Sequence, residues 1–535
     1  MKNDNKLALF LVGTLLMTSL FGCSAKTDDK TTKESTSEVT IEETVSNDDS
    51  VDISDTEEST KSSDSSISSG SYYKENHLTK DDIDTGEAYT NDADGEHAIE
   101  VDGDFATYAN IDVTKTGESD GDESDFYGAN SAIFATDSAT LNISEAYIET
   151  NGTHANAVFS YGEGTTVNIS DSVIETSGNC SGGLMTTGGG TMNAANLTIN
   201  TSGNSSAAIR SDRGGGTVNV DGGFYKTTGT GSPVIYSTAD ITVSNSYLES
   251  TASQGVVVEG KNSVTLNDCE LIADNNTKNS DKSNTYQAVM IYQSMSGDAD
   301  TGTSSFTMNG GTLTNANGDI FFVNNTACTI NLTDATIINN DSDGVFLRAG
   351  AAGWGNEGSN GGKVIMTAVN QTINGDMIVD DVSVLNLYLT SGSSFTGAIN
   401  SDGQAGDVYV ELDDGSTWTL TADSYITSLT CDTDSIDLNG HTLYVDGEVY
   451  IEGTATSGNA IEITSESSSQ GQPDGNMPDG EAPSGDGSNM GNPPDMPSGS
   501  GNDMDTPPDK PSGDGAPPDK PSGDGDGTPP DKPEN

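Results

Sequence analysis

The sequence predicts an all-β solenoid, a right-handed parallel β-helix, between two segments without a core of their own. Two observations predict this fold class. A short apolar-polar-apolar step recurs about every 25 residues, and Gly, Ser, Asn and Asp separate it from two further short apolar stretches in each repeat. Such a period is typical of β-solenoids, in which each coil buries its apolar side chains only by stacking on the next coil.

The first element is a signal-like segment. Lys2 and Lys6 precede an uncharged stretch that ends at Cys23, and this stretch is short for a transmembrane helix but typical of a secretory signal. Residues 20–23 resemble the bacterial lipobox, which implies that residues 1–22 are removed and that Cys23 receives a diacylglyceryl group. We therefore expect a lipid anchor on the extracellular face of the cell membrane. An ordinary signal peptide with an incidental cysteine is the alternative.

Residues 23–75 and 466–535 are expected to be disordered linkers. The first segment is mainly Ser, Thr, Asp, Glu and Lys, so burial cannot offset the entropy cost of ordering it. The second holds 15 of the 16 prolines and repeats a Pro-Pro-Asp-Lys-Pro-Ser-Gly-Asp-Gly block, as expected for an extended, semi-rigid spacer. The β-helix is expected over residues 76–465.

The repeated step defines the coils. Its first residues are 26, 25, 26, 23 and 23 positions apart, and an insertion between Leu266 and Phe306 is long enough to displace one coil. Alternation at period two with many β-branched residues predicts strands rather than helices. The steps are Leu141-Asn142-Ile143, Val167-Asn168-Ile169, Met192-Asn193-Ala194, Val218-Asn219-Val220, Ile241-Thr242-Val243, Val264-Thr265-Leu266, Phe306-Thr307-Met308 and Ile330-Asn331-Leu332.

The middle position of the step is often asparagine. Stacked coils bring these amides into register, so we interpret them as a hydrogen-bonded ladder that belongs to the scaffold. The ladder residues are Asn142, Asn168, Asn193, Asn219 and Asn331. Residues 362–465 keep the pattern with longer strands, and we expect wider terminal coils there that also close the end of the β-helix.

Three blocks resemble a group of exported bacterial β-helix surface proteins, within the superfamily that includes pectate-lyase-like proteins and adhesins. The blocks are residues 211–217, 258–263 and 290–294, and the likeness spans residues 98–453. The resemblance implies the fold and a surface location, and it implies no particular activity.

One face of the predicted solenoid is a candidate ligand surface. The strand before each step contains an aliphatic residue that is expected to face inward. These inward residues are Ile133, Val158, Leu184, Ile209, Ile235 and Val257. The residue after each should then face outward. These outward residues are Phe134, Phe159, Met185, Arg210, Tyr236 and Val258. An exposed stripe of this kind suits stacking on sugar rings; the alternative is that a loop or the insertion covers it.

Composition limits the chemistry of the protein. Twenty basic against 84 acidic side chains give a net charge of −64, which excludes nucleic acid as a partner because phosphate binding needs positive charge. The cysteines after Cys23 are too sparse for a disulfide framework or a zinc site. We expect a monomer that requires no cofactor.

Calcium is the one metal that the sequence suggests. Asn339, Asp341 and Asp343 offer oxygens at alternate positions before Gly344, as in the first half of a calcium loop, but Gly350 stands where the closing glutamate belongs. Solvated surface charge is the alternative interpretation.

We expect a surface adhesin or carbohydrate-binding protein rather than an enzyme. A polysaccharide lyase acting on uronate polymers is the alternative, because Arg210 and Arg213 form the one dense basic cluster. A polygalacturonase-type mechanism is not expected, since neither Gly-His-Gly nor Arg-x-Lys occurs. A structural envelope spacer is the third possibility.

Overall fold

The computed structural model describes residues 69–463 apart from 279–281, 284, 404–405 and 414, and it confirms the predicted all-β parallel β-helix. The predicted signal segment, Cys23, most of the first linker and the C-terminal tail lie outside the described residues. Within the described part of the chain, no helix is long and apolar enough to cross a membrane.

Sheet A contains the repeated step and the strand that follows it. Every pairing in this sheet is parallel, and successive coils add strands in chain order. Its strands are β1 (Glu87–Asn91), β3 (Phe105–Lys115), β5 (Thr140–Thr150), β7 (Thr166–Ser170), β8 (Val173–Thr176), β10 (Gly190–Thr201), β12 (Gly216–Thr227), β14 (Asp240–Ser250), β16 (Ser263–Asn267), β17 (Glu270–Ala273), β19 (Thr303–Asn309), β20 (Thr312–Asn315), β22 (Thr326–Thr333), β23 (Thr336–Asn339), β25 (Gly362–Val369), β28 (Val384–Thr390), β30 (Asp407–Leu412) and β33 (Ser428–Thr430).

Sheet B contains the strand that precedes each step. It is also parallel and follows chain order. Its strands are β2 (Ile99–Asp102), β4 (Ile133–Thr136), β6 (Val158–Tyr161), β9 (Leu184–Thr187), β11 (Ile209–Ser211), β13 (Ile235–Ser237), β15 (Val256–Glu259), β18 (Gln287–Tyr292), β21 (Asp319–Asn324), β24 (Leu347–Ala349) and β27 (Met377–Val379).

Two small sheets and three short helices complete the described fold. The last coils form β26 (Thr372–Asn374), β29 (Ser394–Thr396), β31 (Thr417–Thr419) and β34 (Ile436–Asp437), and β32 (Ser424–Ile426), β35 (Leu443–Val445) and β36 (Glu448–Val449). The helices are α1 (Ser69–Glu75), the 3-10 turn η1 (Lys80–Asp82) and α2 (Asp122–Phe126). The last strand, β36, pairs antiparallel with β35, unlike the parallel pairs of the other sheets.

The predicted register of the steps is confirmed. Leu141 pairs with Val167, and Val167 pairs with Met192. These inward side chains join those of sheet B in one continuous apolar core. Burial of such columns is the main favourable contribution to folding, since each fully buried aliphatic side chain contributes roughly 1.5–3 kcal/mol.

Two expectations about coil size were wrong. The step Leu266 pairs directly with Met308, so the insertion adds no coil and instead lengthens two loops of one coil. The C-terminal coils are also narrower, not wider. Met366 pairs with Leu387, 21 residues later, and Val410 pairs with Leu429, 19 residues later. The length of the strands does not determine the number of residues in a coil, because coils differ mainly in the length of their loops.

A sharp bend in sheet A follows each step. The bend residue has a φ between 48° and 71° in ten coils, and nine of the ten are Asn, Asp or Gly, the residues that adopt the left-handed region most readily. The bend residues are Asn110, Glu145, Asp171, Asn196, Gly222, Asn245, Asp268, Gly310, Asp334 and Asn370.

The described chain begins earlier than the predicted β-helix. Residues 69–75, assigned from sequence to the linker, form α1. The helix packs on the outer face of β12 and β14, and Ser71 Oγ donates to Glu270 Oε2 at 2.6 Å. Tertiary contacts with the β-helix therefore stabilise a polar segment that would be too short to form a helix alone.

Candidate functional site

A concave groove lies on the outer surface of sheet A and crosses β3, β5, β7, β10, β12 and β14. Its volume is about 570 Å³. The outward positions of successive coils supply its polar floor, because side chains alternate in and out along a strand. The lining side chains are Thr107, Asn142, Ser144, Asn168, Ser170, Asn193, Asn219, Asp221, Thr242 and Ser244, with Ile143, Ile169, Ala194, Ala195 and Val220 between them.

The predicted amide ladder forms the centre of this groove. Nδ2 of Asn168 donates to Oδ1 of Asn142 at 2.9 Å, Asn193 donates to Asn168 at 2.9 Å, and Asn219 donates to Asn193 at 3.0 Å. Asn331 is not part of this chain of bonds, because its register neighbour is Thr307, whose hydroxyl it meets at 3.4 Å. The ladder prediction is confirmed for four of its five residues.

The ladder amides retain hydrogen-bonding capacity toward solvent. A side-chain amide carries two N–H donors and an oxygen with two lone pairs, and the ladder uses one donor and one acceptor site of each internal asparagine. Asn219 is exposed, and Asn142, Asn168 and Asn193 are half-buried. The groove thus presents a row of paired donors and acceptors, spaced by the 4.7–4.9 Å separation typical of neighbouring strands.

The groove is nearly neutral in a very acidic protein. Asp221 is the one charged residue of its lining, and its Oδ1 accepts a hydrogen bond from Nδ2 of Asn245 at 2.7 Å. A surface of amides and hydroxyls favours a neutral, hydroxyl-rich ligand, whereas the net charge of −64 repels an anionic one.

The stripe that was expected to be exposed is buried, so this prediction was wrong. Phe134, Phe159 and Met185 form a separate cluster and are at most 3% exposed. The loop that contains α2 covers them: Gly128 lies against both phenylalanine rings, and His97 stacks on Phe134 with ring centroids 4.6 Å apart. The alternative named above, a covering loop, is what the structure shows.

The same face continues as a second buried cluster. Tyr236 lies there with Val257 and Trp354, and the loop after β24 supplies the tryptophan. Val257 rather than Val258 belongs to the outward column, because it pairs with Tyr236. Residues 256–258 are all valine, so the sequence contains no signal that separates the two registers.

The two arginines of the lyase hypothesis are engaged in ion pairs. Arg210 was expected to be exposed but is only 2% exposed, and its Nη2 lies 2.8 Å from Oδ2 of Asp212. The guanidinium of Arg213 lies 3.7 Å from the ring centroid of Phe126, and its Nε lies 2.8 Å from Asp298. In this conformation Arg210 has no path to a polymeric substrate.

Sequence reasoning missed a buried acidic network beside Arg210. Burial raises the pKa of Asp212 to about 7 despite the opposing effect of Arg210, and the nearby Asp298 raises it further. Burial also raises the pKa of Glu259, which accepts hydrogen bonds from the hydroxyls of Tyr236 and Tyr292. Asp212, Glu259 and Tyr292 lie in the three blocks that carry the resemblance, and only their convergence in space reveals the network.

The predicted calcium loop is built as a hydrogen-bonded turn. Oδ2 of Asp341 accepts from the backbone N–H of Gly318 at 2.8 Å, and Oδ1 accepts from that of Asp343 at 2.9 Å. Asn339 Nδ2 donates to the carbonyl oxygen of Gly318 at 3.0 Å. Backbone donors account for both carboxylate oxygens of Asp341 and lower its pKa, so they stabilise the turn without any ion. Calcium binding here stays a prediction.

One other group has the composition of a metal site. Asp125, His154 and Cys180 are buried, with potential ligand atoms within 4.8 Å of one another, and Nδ1 of His154 lies 3.0 Å from Asp125. The close contact between the ring of His154 and the carboxylate of Asp125 accounts for two of these three groups without an ion. We infer no metal centre from this group.

Comparison with known proteins gives no further guide, since no family model matches the chain and no curated protein matches its sequence.

Proposed function

We propose that this protein is a surface adhesin that binds neutral polysaccharide along the amide ladder. The groove across β3 to β14, with its row of half-exposed asparagines, is the observation that carries the proposal. A linear glycan offers hydroxyl groups at regular intervals, and each amide has donor and acceptor capacity left for them. Several modest hydrogen bonds in series give useful affinity where a single one would not.

The proposed ligand is neutral rather than uronic. The groove has no basic residue among its lining side chains, and its one acid is Asp221. A polyuronate would meet the field of the whole protein without a local cation to offset it. The charge of the ligand therefore separates the adhesin proposal from the lyase alternative, whose substrate is anionic.

The test is a binding titration with matched threonine variants. Thr242 and Thr265 occupy the ladder position in neighbouring coils, so Asn193→Thr should preserve the strand while removing the amide. We expect Asn193→Thr to weaken binding of a neutral hexasaccharide by roughly three- to tenfold, as expected for one or two lost hydrogen bonds. Asn331→Thr is the control, because this residue lies outside the groove and between two threonines, Thr307 and Thr367.

A glycan array identifies the ligand class before the titration. Neutral glycans should bind with and without a chelator, and polyuronates should not. Binding confined to polyuronates, or equal losses for Asn193→Thr and Asn331→Thr, would contradict the proposal.

We further propose that the protein is exported and held at the membrane by a lipid on Cys23. The support is the lipobox-like segment described above. Mass spectrometry of the mature N-terminal peptide should show a diacylglyceryl group on Cys23, and Cys23→Ala should release the protein from membranes. A Cys23 recovered as a free thiol or as a reducible disulfide would contradict the anchor.

A further inference from the structure

We propose that the groove holds an extended β-1,4-linked chain of neutral sugars along the axis of the β-helix, with one sugar ring over each coil. This inference rests on the proposed function and narrows its ligand from neutral polysaccharide to one conformational class. Coiled α-1,4-linked chains are equally neutral and equally rich in hydroxyl groups, and the geometry of the groove selects against them.

The groove is long and narrow. Its lining crosses six consecutive coils, from Thr107 to Thr242, and therefore extends for five strand separations, or roughly 24 Å. On β5 the outward lining positions are Asn142 and Ser144, which lie roughly 7 Å apart along the strand. A surface with these proportions accepts one extended chain, whereas a coiled chain is wider and curves away from it.

The spacing of the amides matches the repeat of an extended chain. Neighbouring parallel strands lie about 4.7–4.9 Å apart, and ladder bonds of 2.9, 2.9 and 3.0 Å keep the four asparagines from Asn142 to Asn219 in register at that separation. Each ring of an extended β-1,4-linked chain advances the chain by nearly the same distance. The match therefore persists from coil to coil, whereas an α-1,4-linked chain turns away from the row after a few rings.

The amides can bind every ring of such a chain. Successive rings of an extended β-1,4-linked chain are turned over, so neighbouring coils meet opposite edges of the ring. An amide both donates and accepts hydrogen bonds, so the same side chain serves either edge.

The second outward column of the groove leaves room for the rings. It consists of small side chains apart from one aspartate, and it lies two residues beyond the amide column on the same face of each strand. Its members are Ser144, Ser170, Ala195, Asp221 and Ser244. The row of amides is thus accessible along its whole length to a straight chain, and three serine hydroxyls lie beside it.

The experiment measures binding to the full-length protein by calorimetry with oligosaccharides of two to six rings. The probes are β-1,4-linked oligomers of glucose and of mannose and α-1,4-linked oligomers of glucose. Affinity for a β-linked series should rise roughly two- to tenfold with each added ring, up to the six coils of the groove, because each ring adds about one hydrogen-bonded contact. The β-linked hexasaccharide should bind at least about tenfold more tightly than the α-linked one.

Variants at the two ends of the ladder test the direction of the chain. Asn142 and Asn219 lie three coils apart, and Asn142→Thr and Asn219→Thr should each weaken binding of the β-linked hexasaccharide roughly three- to tenfold. A β-linked trisaccharide can use the remaining coils, so its affinity should change less than about twofold in either variant. Asn331→Thr is again the control.

The outcomes separate the two proposals. Preference for a β-linked hexasaccharide, with losses in both end variants, supports the extended chain. Equal or tighter binding of the α-linked hexasaccharide, or a loss in only one end variant, overturns the extended chain and leaves the groove proposal intact when Asn193→Thr still weakens binding. A parent protein that binds another neutral glycan but neither β-linked series also overturns the extended chain alone. A parent protein that binds no neutral glycan overturns both proposals.

Discussion

The buried carboxyl of Asp212 should make the protein less stable as pH rises from 4 to 7. Asp212 is 3% exposed, and its pKa of about 7 lies well above its usual 3.8 because burial disfavours the charged form. The folded state therefore binds a proton more tightly than the unfolded state. Stability linked to this group is fully present below pH 3.8 and is lost as pH rises toward 7.

The magnitude follows from the two pKa values. A difference of about three pH units corresponds to roughly 4 kcal/mol. Asp212→Asn removes the titration while keeping the shape and a polar partner for Arg210. The difference in unfolding free energy, parent minus Asp212→Asn, should therefore fall by up to about 4 kcal/mol between pH 4 and pH 7.

Urea denaturation of both proteins at pH 4, 5, 6 and 7 measures this difference, and subtraction cancels the repulsion that the net charge adds to both. A difference that rises with pH would contradict the reasoning. That sign would mean that the ion pair with Arg210 dominates over burial and holds the pKa of Asp212 below its usual value.

Three further predictions concern the packing. Gly203→Ala should destabilise the protein by about 1–3 kcal/mol, because its Cβ would overlap a carbonyl oxygen of the preceding coil. Gly86→Ala is the control, because its nearest such contact is 3.3 Å. Equal melting temperatures of the two variants would contradict the close stacking of coils at Gly203. Phe159→Ala should lower the free energy of unfolding, measured by urea denaturation, by about 3–5 kcal/mol because the ring is fully buried. A loss below about 0.5 kcal/mol would contradict this burial and indicate that the ring is exposed. Cys269 should resist alkylation at pH 8 in the folded protein, because burial raises the pKa of its thiol to about 12; labelling in the native protein at the rate of an unfolded control would contradict this.

The fold was predictable because its signal is periodic. The columns that begin at Leu141 and Ile148 appear in the sequence as repeated apolar positions, and the structure stacks them as expected. Alternation along a strand fixes the direction of its side chains once one inward position is known. The amide ladder was predictable for the same reason.

The candidate site was only partly predictable. Loop paths carry no periodic signal, so the sequence could not show that the segment around α2 covers Phe134 and Phe159. It could show that Asn168 and Asn193 are aligned but not that the sheet is concave there. The docking of α1 was missed because its contacts are made with residues about 150 positions away, such as Gly222.

Hydrogen exchange with and without a bound neutral glycan tests the central claim most directly. The groove proposal predicts slower exchange in β7, β10 and β12, whose outward asparagines form the ladder, and no change in the loop of residues 293–302. Protection confined to that loop and to the residues around Arg213, with β7 to β12 unchanged, would place the ligand on sheet B and contradict the proposed site.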